Sequence, residues 1–327
     1  LRIKCFTHSD LDGVVSNLLI CKYYSTLGYN HSTENCSTGD NVDRKIKEYI
    51  NSKEYSESDL IIITDVSMSY EVACILDVLP NKKILIDHHA SAQKDLGRNN
   101  PKGDFPWAYV REGDSATMLV YKYLNNITKT NKELNDMIRE YRPLVVVTDL
   151  WDTKSRISED FVLWLPQIEN ILGLMNCVGF SNFKARFLLN APITLTELEM
   201  AKVETVTKIK LGVMKYTNIF IKTKEYKEYA VCYGVCFASL YRSEVAEYAF
   251  QNNADLAFIA MIDMNGSRVS FRRNVRHPLE KDMDLTKVVK QFNSDGGGHP
   301  FACAFGYKMD DYSIVINRLL TGEFILE

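Results

Sequence analysis

Along the first half of the chain, short apolar runs recur, and each gives way abruptly to acids or histidines. "RIKCF" (2–6) leads to His8, and "DLIIITD" (59–65) ends in Asp65. "KKILIDHH" (82–89) ends in Asp87, His88 and His89, and "RPLVVVTD" (142–149) ends in Asp149. Continuous β-branched runs suit strands buried on both faces of a parallel sheet, and the amphipathic stretches between them supply the covering helices. The last run reads equally well as the end of a helix. Helices are expected from Asp12-Gly13 to about Leu27, over 67–79 behind Ser67 or Ser69, and over 114–124 behind Asp114 or Ser115. Ligands of such sheets lie beyond the carboxyl ends of the strands, so the polar residues that close the runs are expected to converge on one crevice.

After Pro192 the pattern changes. Residues 194–215 read as a long polar helix with a narrow apolar stripe, the kind that often bridges domains. The following hundred residues alternate short strands ("NIFIKTKEY", "EYAVCYGV", "DLAFIAMID", "GSRVSFRRN") with helical stretches at 243–252 and 284–292. The expected fold class is therefore α/β: a parallel-sheet domain over 1–192, a linker helix over 193–216 and a smaller α/β domain over 217–327, with the active site in the cleft between them. The segment 157–190 is expected to form a helical cap over the site.

At 327 residues, two domains are the natural division, and 46% hydrophobic with 25% charged residues permits a sizeable core. A net charge of −3 excludes a general polyanion coat, so any nucleic-acid role must rest on a local site. The eight cysteines are scattered without a CxxC pair, which argues against a zinc knuckle and for free thiols in a reducing compartment. Neither a signal-peptide pattern nor an apolar run near the ~18 residues of a spanning helix is read, so the expected location is cytoplasmic, with no membrane partner.

The chemistry lies in His8, Asp10, Asp12, Asp65, His88 and Asp149. A "DxDG" alone is commonly a turn or cap, "HH" an exposed pair, and an Asp at a strand end an N-cap. Gathered in one crevice, however, four or five carboxylates cannot all ionise unless divalent cations offset them. Oxygen donors with a minority of imidazoles suit Mn2+, with Mg2+ as the alternative. The count suggests two ions sharing one bridging carboxylate. Such a pair can bind a phosphate, sharpen a bridging hydroxide and stabilise a leaving oxygen.

"HSDLDG", "IIITDVS", "ILIDHHAS" and "VVVTD", in that order, resemble the four motifs of the DHH phosphoesterase superfamily, which also contains RecJ-like nucleases. Downstream, "GGGHPFACAFGY" (296–307) is similar to the glycine-rich signature of the DHH-associated C-terminal domain, and "VSFRR" (269–273) to its arginine strand. The compact HxDxDG form of the first motif resembles the NrnB-type oligoribonuclease branch. The resemblance implies that His8, Asp10 and Asp65 hold one ion and that Asp12, Asp65, His88 and Asp149 hold the other, with Asp65 bridging. It places His89 beside the scissile phosphate and makes Asp87 the group that orients the histidines. It also makes Gly296, Gly297, Gly298 and His299 a phosphate cradle, and Arg272 a phosphate contact. Arg242, at the opening of a helix, is a second candidate contact. Trp151 and Asp152 follow the fourth motif and could line the cleft, with core packing the expected role of the tryptophan.

The expected activity is Mn2+-dependent, exonucleolytic hydrolysis of short oligonucleotides (nanoRNA or short DNA) to nucleoside monophosphates. A hydroxide between two ions would attack phosphorus in line, while His89, Arg272 and His299 offset the charge. The alternatives are a cyclic (di)nucleotide phosphodiesterase using the same site, or a catalytically silent nucleotide-binding regulator. Partners expected are short oligonucleotides or small nucleotide phosphodiesters, with a homodimer left open.

Overall fold

A computed structural model of the chain describes residues 1–36, 40–96, 105–153, 158–189, 192–227, 229–278, 283–294 and 296–326. The apolar runs become strands wherever both faces can be covered. Arg2–His8 (β1), Asn30–Cys36 (β2), Leu60–Thr64 (β3), Lys82–Asp87 (β4) and Ala108–Val110 (β5) form one parallel sheet in the order β2-β1-β3-β4-β5. Alternate residues feed opposite layers: Ile3, Cys5 and Ile62 pack on one side, and Phe6, Ile61 and Ile63 on the other. The first layer contains helices Leu11–Thr26 (α1), Ala116–Thr128 (α6), Lys132–Arg139 (α7), Arg142–Thr153 (α8) and Glu159–Leu188 (α9). The second contains Asp40–Ile50 (α2), Tyr70–Asp77 (α4) and Ala90–Leu96 (α5), with the short helix Lys53–Ser56 (α3) beside it. β1 and β3 are sheet neighbours, and the chain between them runs out to the edge strand β2. The order of connections therefore reverses between them, which is where open α/β sheets bind ligands.

The fourth apolar run is the helical alternative, not a strand. Leu144, Val145, Val147, Thr148 and Leu150 are its buried positions, a 3.6-residue pattern that the packing against α1 and α6 selects over the β preference of three valines. Residues 159–188 are also helical, but Gly179 (φ +76°) breaks the helical path within α9. Among the described residues, α9 is long and apolar enough, by length and composition, to cross a membrane, which corrects the expectation that nothing approaches that length. One side of it packs into the core through Phe161, Ile168, Ile171, Leu174, Phe183 and Phe187. The buried Lys184 ties it further by donating to Asn17 Oδ1 at 2.6 Å and Thr33 Oγ1 at 2.9 Å.

The chain divides into two units, Leu1–Val206 and Thr207–Glu327, and the division falls within helix Glu197–Tyr216 (α10), whose one buried residue is Val203. In the second unit, Ile219–Tyr226 (β6), Tyr229–Phe237 (β7), Leu256–Asp263 (β8), Arg268–Arg273 (β9), Gly297–His299 (β10) and Ala302–Gly306 (β11) form a sheet ordered β10-β11-β9-β8-β7-β6. All its pairs are antiparallel except β7–β8. Helix Arg242–Asn252 (α11) packs on one face over Ile259 and Met261. Leu285–Lys290 (α12) and Tyr312–Thr321 (α13) cover the other over Phe258, Phe271 and Phe305. All eight cysteines are free thiols, five of them buried.

Candidate metal centre

The site is assembled by strand ends that cannot continue. β1 stops at His8, and Asp10 caps α1 by accepting from the Gly13 amide at 3.0 Å. A Cβ at Gly13 would run into the His8 carbonyl, so only glycine lets the helix start this close to the strand it follows. That places Asp12 in the first turn of α1, fully buried. Its two oxygens accept from the first amides of α6, Oδ2 from Ala116 and Oδ1 from Thr117, both at 2.8 Å. Asp12 thus has fixed orientation without help from a charged partner.

β3 ends at Thr64, and Asp65 turns the chain with φ +57°, a left-handed conformation that Asp tolerates better than most residues. Its amide donates to Ile86 O at 3.0 Å, so the turn is held to β4. The side chain is 2% exposed, and its Oδ2 is a buried acceptor without a hydrogen-bond partner among the described residues. Oδ1 stands 3.3 Å from His88 Nε2, and Oδ2 stands 4.0 Å from His8 Nδ1. The latter nitrogen is 2.9 Å from Asp10 Oδ2.

β4 ends at Asp87, whose carboxylate is saturated. It accepts from the His88 amide at 2.8 Å, pairs with His89 Nδ1 at 2.8 Å, and receives the Ser67 hydroxyl. His88 Nε2 lies among Asp65, Asp12 Oδ2 (3.6 Å) and Asp152 Oδ2 (3.6 Å). Ligand-type atoms therefore gather in overlapping groups, His8–Asp10–Asp65, Asp12–His88–Asp152 and Asp65–Asp87–His88–His89. Through Asp65 and His88, the third joins the first two.

Of the six ligands expected from sequence, the structure gathers His8, Asp10, Asp12, Asp65 and His88. Asp149 stands apart from these groups: its Oδ1 accepts from the Ser115 amide at 3.0 Å, fastening α8 to the start of α6. One helical turn further on, Asp152 Oδ2 lies with Asp12 and His88 in the second group. The spacing "DLWD" held that signal. Residues i and i+3 share a helix face but lie on opposite faces of a strand, so only the helical reading of the run puts Asp152 on the face of Asp149. Ser67 appeared in the sequence only as a possible helix cap; Ser69 is the cap, and Ser67 holds Asp87.

The electrostatics call for a positive charge among these acids. Burial, with Asp12 and Asp10 nearby, holds the Asp65 carboxyl well above the usual range. Burial and Asp10 push Asp12 up to about 6, and burial with Asp12 and Asp10 pushes Asp152 up to about 8. Burial opposes the charge of Asp10 as well, but the bond to and charge of His8, together with the Gly13 amide, bring it down to about 2. Burial opposes the charge of His89 too, yet the Asp87 carboxylate prevails and raises it to about 9. An orphaned buried oxygen amid four carboxylates and two imidazoles is a donor set that fits divalent cations preferring hard ligands.

In the second unit, register places Arg272 opposite Ala302, and Ala302 opposite His299. The next row on that face is Ser270, Ala304 and Gly297. Arg272 donates to Phe271 O at 2.9 Å and to Ser243 Oγ at 3.4 Å; Arg273 donates to Met283 O at 2.5 Å. The glycines are not a loose loop. A Cβ at Gly296 would strike Val289, and one at Gly298 (φ +132°) would come within 2.6 Å of Ala302 O; Gly297 alone faces open space. The side chain of His299 lies outside the described residues. Arg242 is engaged by Asp263 Oδ2 at 3.0 Å.

Comparison with known proteins accords with this geometry. Residues 2–148 match the model of the DHH family, N-terminal domain. Oligoribonuclease NrnB of Bacillus subtilis (strain 168) is 24% identical over 328 residues, covering 95% of this chain and 74% of that protein. Among solved structures, the DHH domain of a member of the S1p family of ribosomal proteins aligns with a TM-score of 0.69 at 14% identity, over 100% of this chain and 87% of that one. RecJ from Thermus thermophilus, in complex with Mn2+, aligns with a TM-score of 0.55 at 12% identity, over 98% of this chain and 51% of that one. Residues 2–148, which carry His8, Asp10, Asp12, Asp65, Asp87, His88 and His89, therefore constitute a DHH family N-terminal domain.

Proposed function

We propose that the chain is a metal-dependent phosphodiesterase that hydrolyses short oligonucleotides exonucleolytically, releasing nucleoside monophosphates, with Mn2+ as the working ion. The observation that carries this reading is the Asp65 carboxylate, buried, orphaned on one oxygen and flanked by Asp10, Asp12 and Asp152. His8, Asp10 and Asp65 would hold one cation, and Asp12, Asp65, His88 and Asp152 the other. When bound, such ions supply Lewis-acid polarisation of the phosphate and of the attacking water.

The chain's own groups do the rest. Asp87, fixed by Ser67, keeps His89 protonated at neutral pH, so His89 Nε2 offers a proton or a positive charge to the phosphate oxygens. Arg272 presents a second cation beside the small residues Ala302, Ala304 and Gly297, a floor low enough for a phosphate. The extension to oligonucleotides is supported by the similarity to NrnB across most of both chains.

Turnover of a short RNA, a dinucleotide and a cyclic dinucleotide, each with Mn2+, with Mg2+ and with excess chelator, tests the reading. Hydrolysis of the two linear substrates that stops with chelator is expected. Activity on the cyclic substrate alone would move the protein to the alternative class, and activity in excess chelator would end the metal reading.

A further inference from the structure

Away from the acids, the first unit has a groove of about 830 Å³ between α6, α7 and α8. One wall is the 118–121–122–125 stripe of α6, with Met118, Tyr121, Lys122 and Asn125; the other is Arg142, Val145 and Val146 of α8, and Arg139 ends α7. Among the described residues, three cations and no acid line it. Arg139 and Arg142 are exposed, and neither makes a side-chain hydrogen bond or ion pair with another described residue. Tyr121 is half-buried, with its ring in the wall.

The groove also has a direction. Continued by one turn, the α8 stripe reaches Asp149, which meets the Ser115 amide at the head of α6, and Asp152 follows beside His88. At that end the acids are engaged, Asp149 by Ser115 and Asp114 by Lys122 at 2.8 Å. Arg139 and Arg142 lie at the other end. From Met118 to Asn125 the wall runs about 10 Å at 1.5 Å per residue, or roughly three stacked nucleotides at 3.4 Å each.

We infer that this groove is a second oligonucleotide subsite, which takes the part of a single-stranded substrate remote from the scissile phosphate. Arg139 and Arg142 hold its phosphates, and Tyr121 offers a ring for a base. A strip of unpaired cations beside an aromatic side chain is the arrangement that binds single strands without reading sequence. This inference rests on the proposed function and adds a length preference to it: substrates of about four or five nucleotides gain from the groove, and a dinucleotide does not reach it.

The test pairs R139E/R142E with R139Q/R142Q, both at exposed positions. With the metals chelated, anisotropy of a fluorescein-labelled pentanucleotide at several salt concentrations is expected to show binding weakened about 10- to 100-fold in the charge reversal. The log–log salt slope should flatten by about 1.4 in R139Q/R142Q, for two lost phosphate contacts on a single strand. With Mn2+, kcat/KM should fall on the pentanucleotide and stay within about twofold on a dinucleotide. Equal pentanucleotide affinity and slope in wild type and variants would overturn the groove, as would equal losses on both substrates. A wild type that cleaves neither substrate would instead overturn the proposed function, a separate outcome.

Discussion

Loading the site with metal should expel protons, and the structure fixes roughly how many. The perturbation is addition of Mn2+ to metal-free protein at different pH values. A carboxyl whose pKa lies about one unit above the pH is roughly nine-tenths protonated. At pH 7, Asp152, pushed to about 8, carries a proton, whereas Asp12, at about 6, is mostly ionised; Asp65 is also held well above its usual range by burial. Ligation requires all three ionised, so Asp152 and Asp12 together should release about one carboxyl proton per chain at pH 7 and about two at pH 5, with any proton on Asp65 adding to both. His8, which Asp10 raises despite its burial, adds up to one more in the acid range. One proton corresponds to a metal affinity that rises about tenfold per pH unit near pH 7, and each further proton multiplies that by about ten. Titration calorimetry in two buffers of different ionisation enthalpy measures the number directly. Release of less than about half a proton at pH 7, or an affinity flat between pH 6 and 8, would refute the reasoning, because the acids would then be ionised already. The same linkage has a sign for stability. Acids with raised native pKa values bind more protons folded than unfolded, so the metal-free fold weakens as pH rises from about 4 through 8. His89, raised to about 9, adds a contribution that is full below about 6.5 and is lost as pH climbs through 9.

Two further outcomes discriminate between assignments. Asp152→Asn should lower bound Mn2+ below two per chain after dialysis, whereas Asp149→Asn, which keeps an acceptor for the Ser115 amide, should retain it; metal analysis showing the reverse would restore Asp149 as the ligand. His89→Gln should keep its metal, lose about 100-fold in kcat and flatten the alkaline limb of the pH profile near 9; metal loss as large as that of Asp65→Ala would make His89 a ligand instead.

Much of this was legible in the sequence because buried strands and their polar ends write themselves plainly. β1, β3 and β4 follow from continuous apolar runs, and His8, Asp65, Asp87 and His88 from the residues that close them. Helix caps were readable too: Ser69 and Ser115 were each one of two candidates named. What escaped was decided by tertiary packing. β2, "NHSTENC", is a polar edge strand with no apolar signature, and its place in the sheet comes from pairing with β1. Three consecutive valines favour a strand locally, yet α8 forms because Leu144, Val145, Val147 and Leu150 find the core at helical spacing. The sequence left that run open between strand and helix, and so named Asp152 only as a residue that could line the cleft. The resemblance made the glycine triplet a phosphate cradle; what the sequence did not show is that Gly296 and Gly298 are required by close packing, which leaves Gly297 with open space.

The arrangement of the acids explains why backbone groups, more than side-chain partners, orient them. A carboxylate held by a lysine or arginine would already have its charge offset, and a cation would have to displace that partner. Here Asp12 is oriented by two amides at the head of α6, Asp10 by the Gly13 amide and Asp149 by the Ser115 amide. Amides fix direction and supply only partial positive charge, so most of the acids' mutual repulsion remains for a divalent ion to relieve. Asp10 adds a contact with His8 Nδ1 at 2.9 Å, and Asp87 departs furthest from this pattern. Its oxygens are taken by His89, by Ser67 and by the His88 amide, so its charge is committed to an imidazolium. Fixed carboxylates that stay unneutralised, beside one that is neutralised by a histidine, separate holding cations from holding a proton. The switch between β1 and β3 brings both to the same end of one sheet.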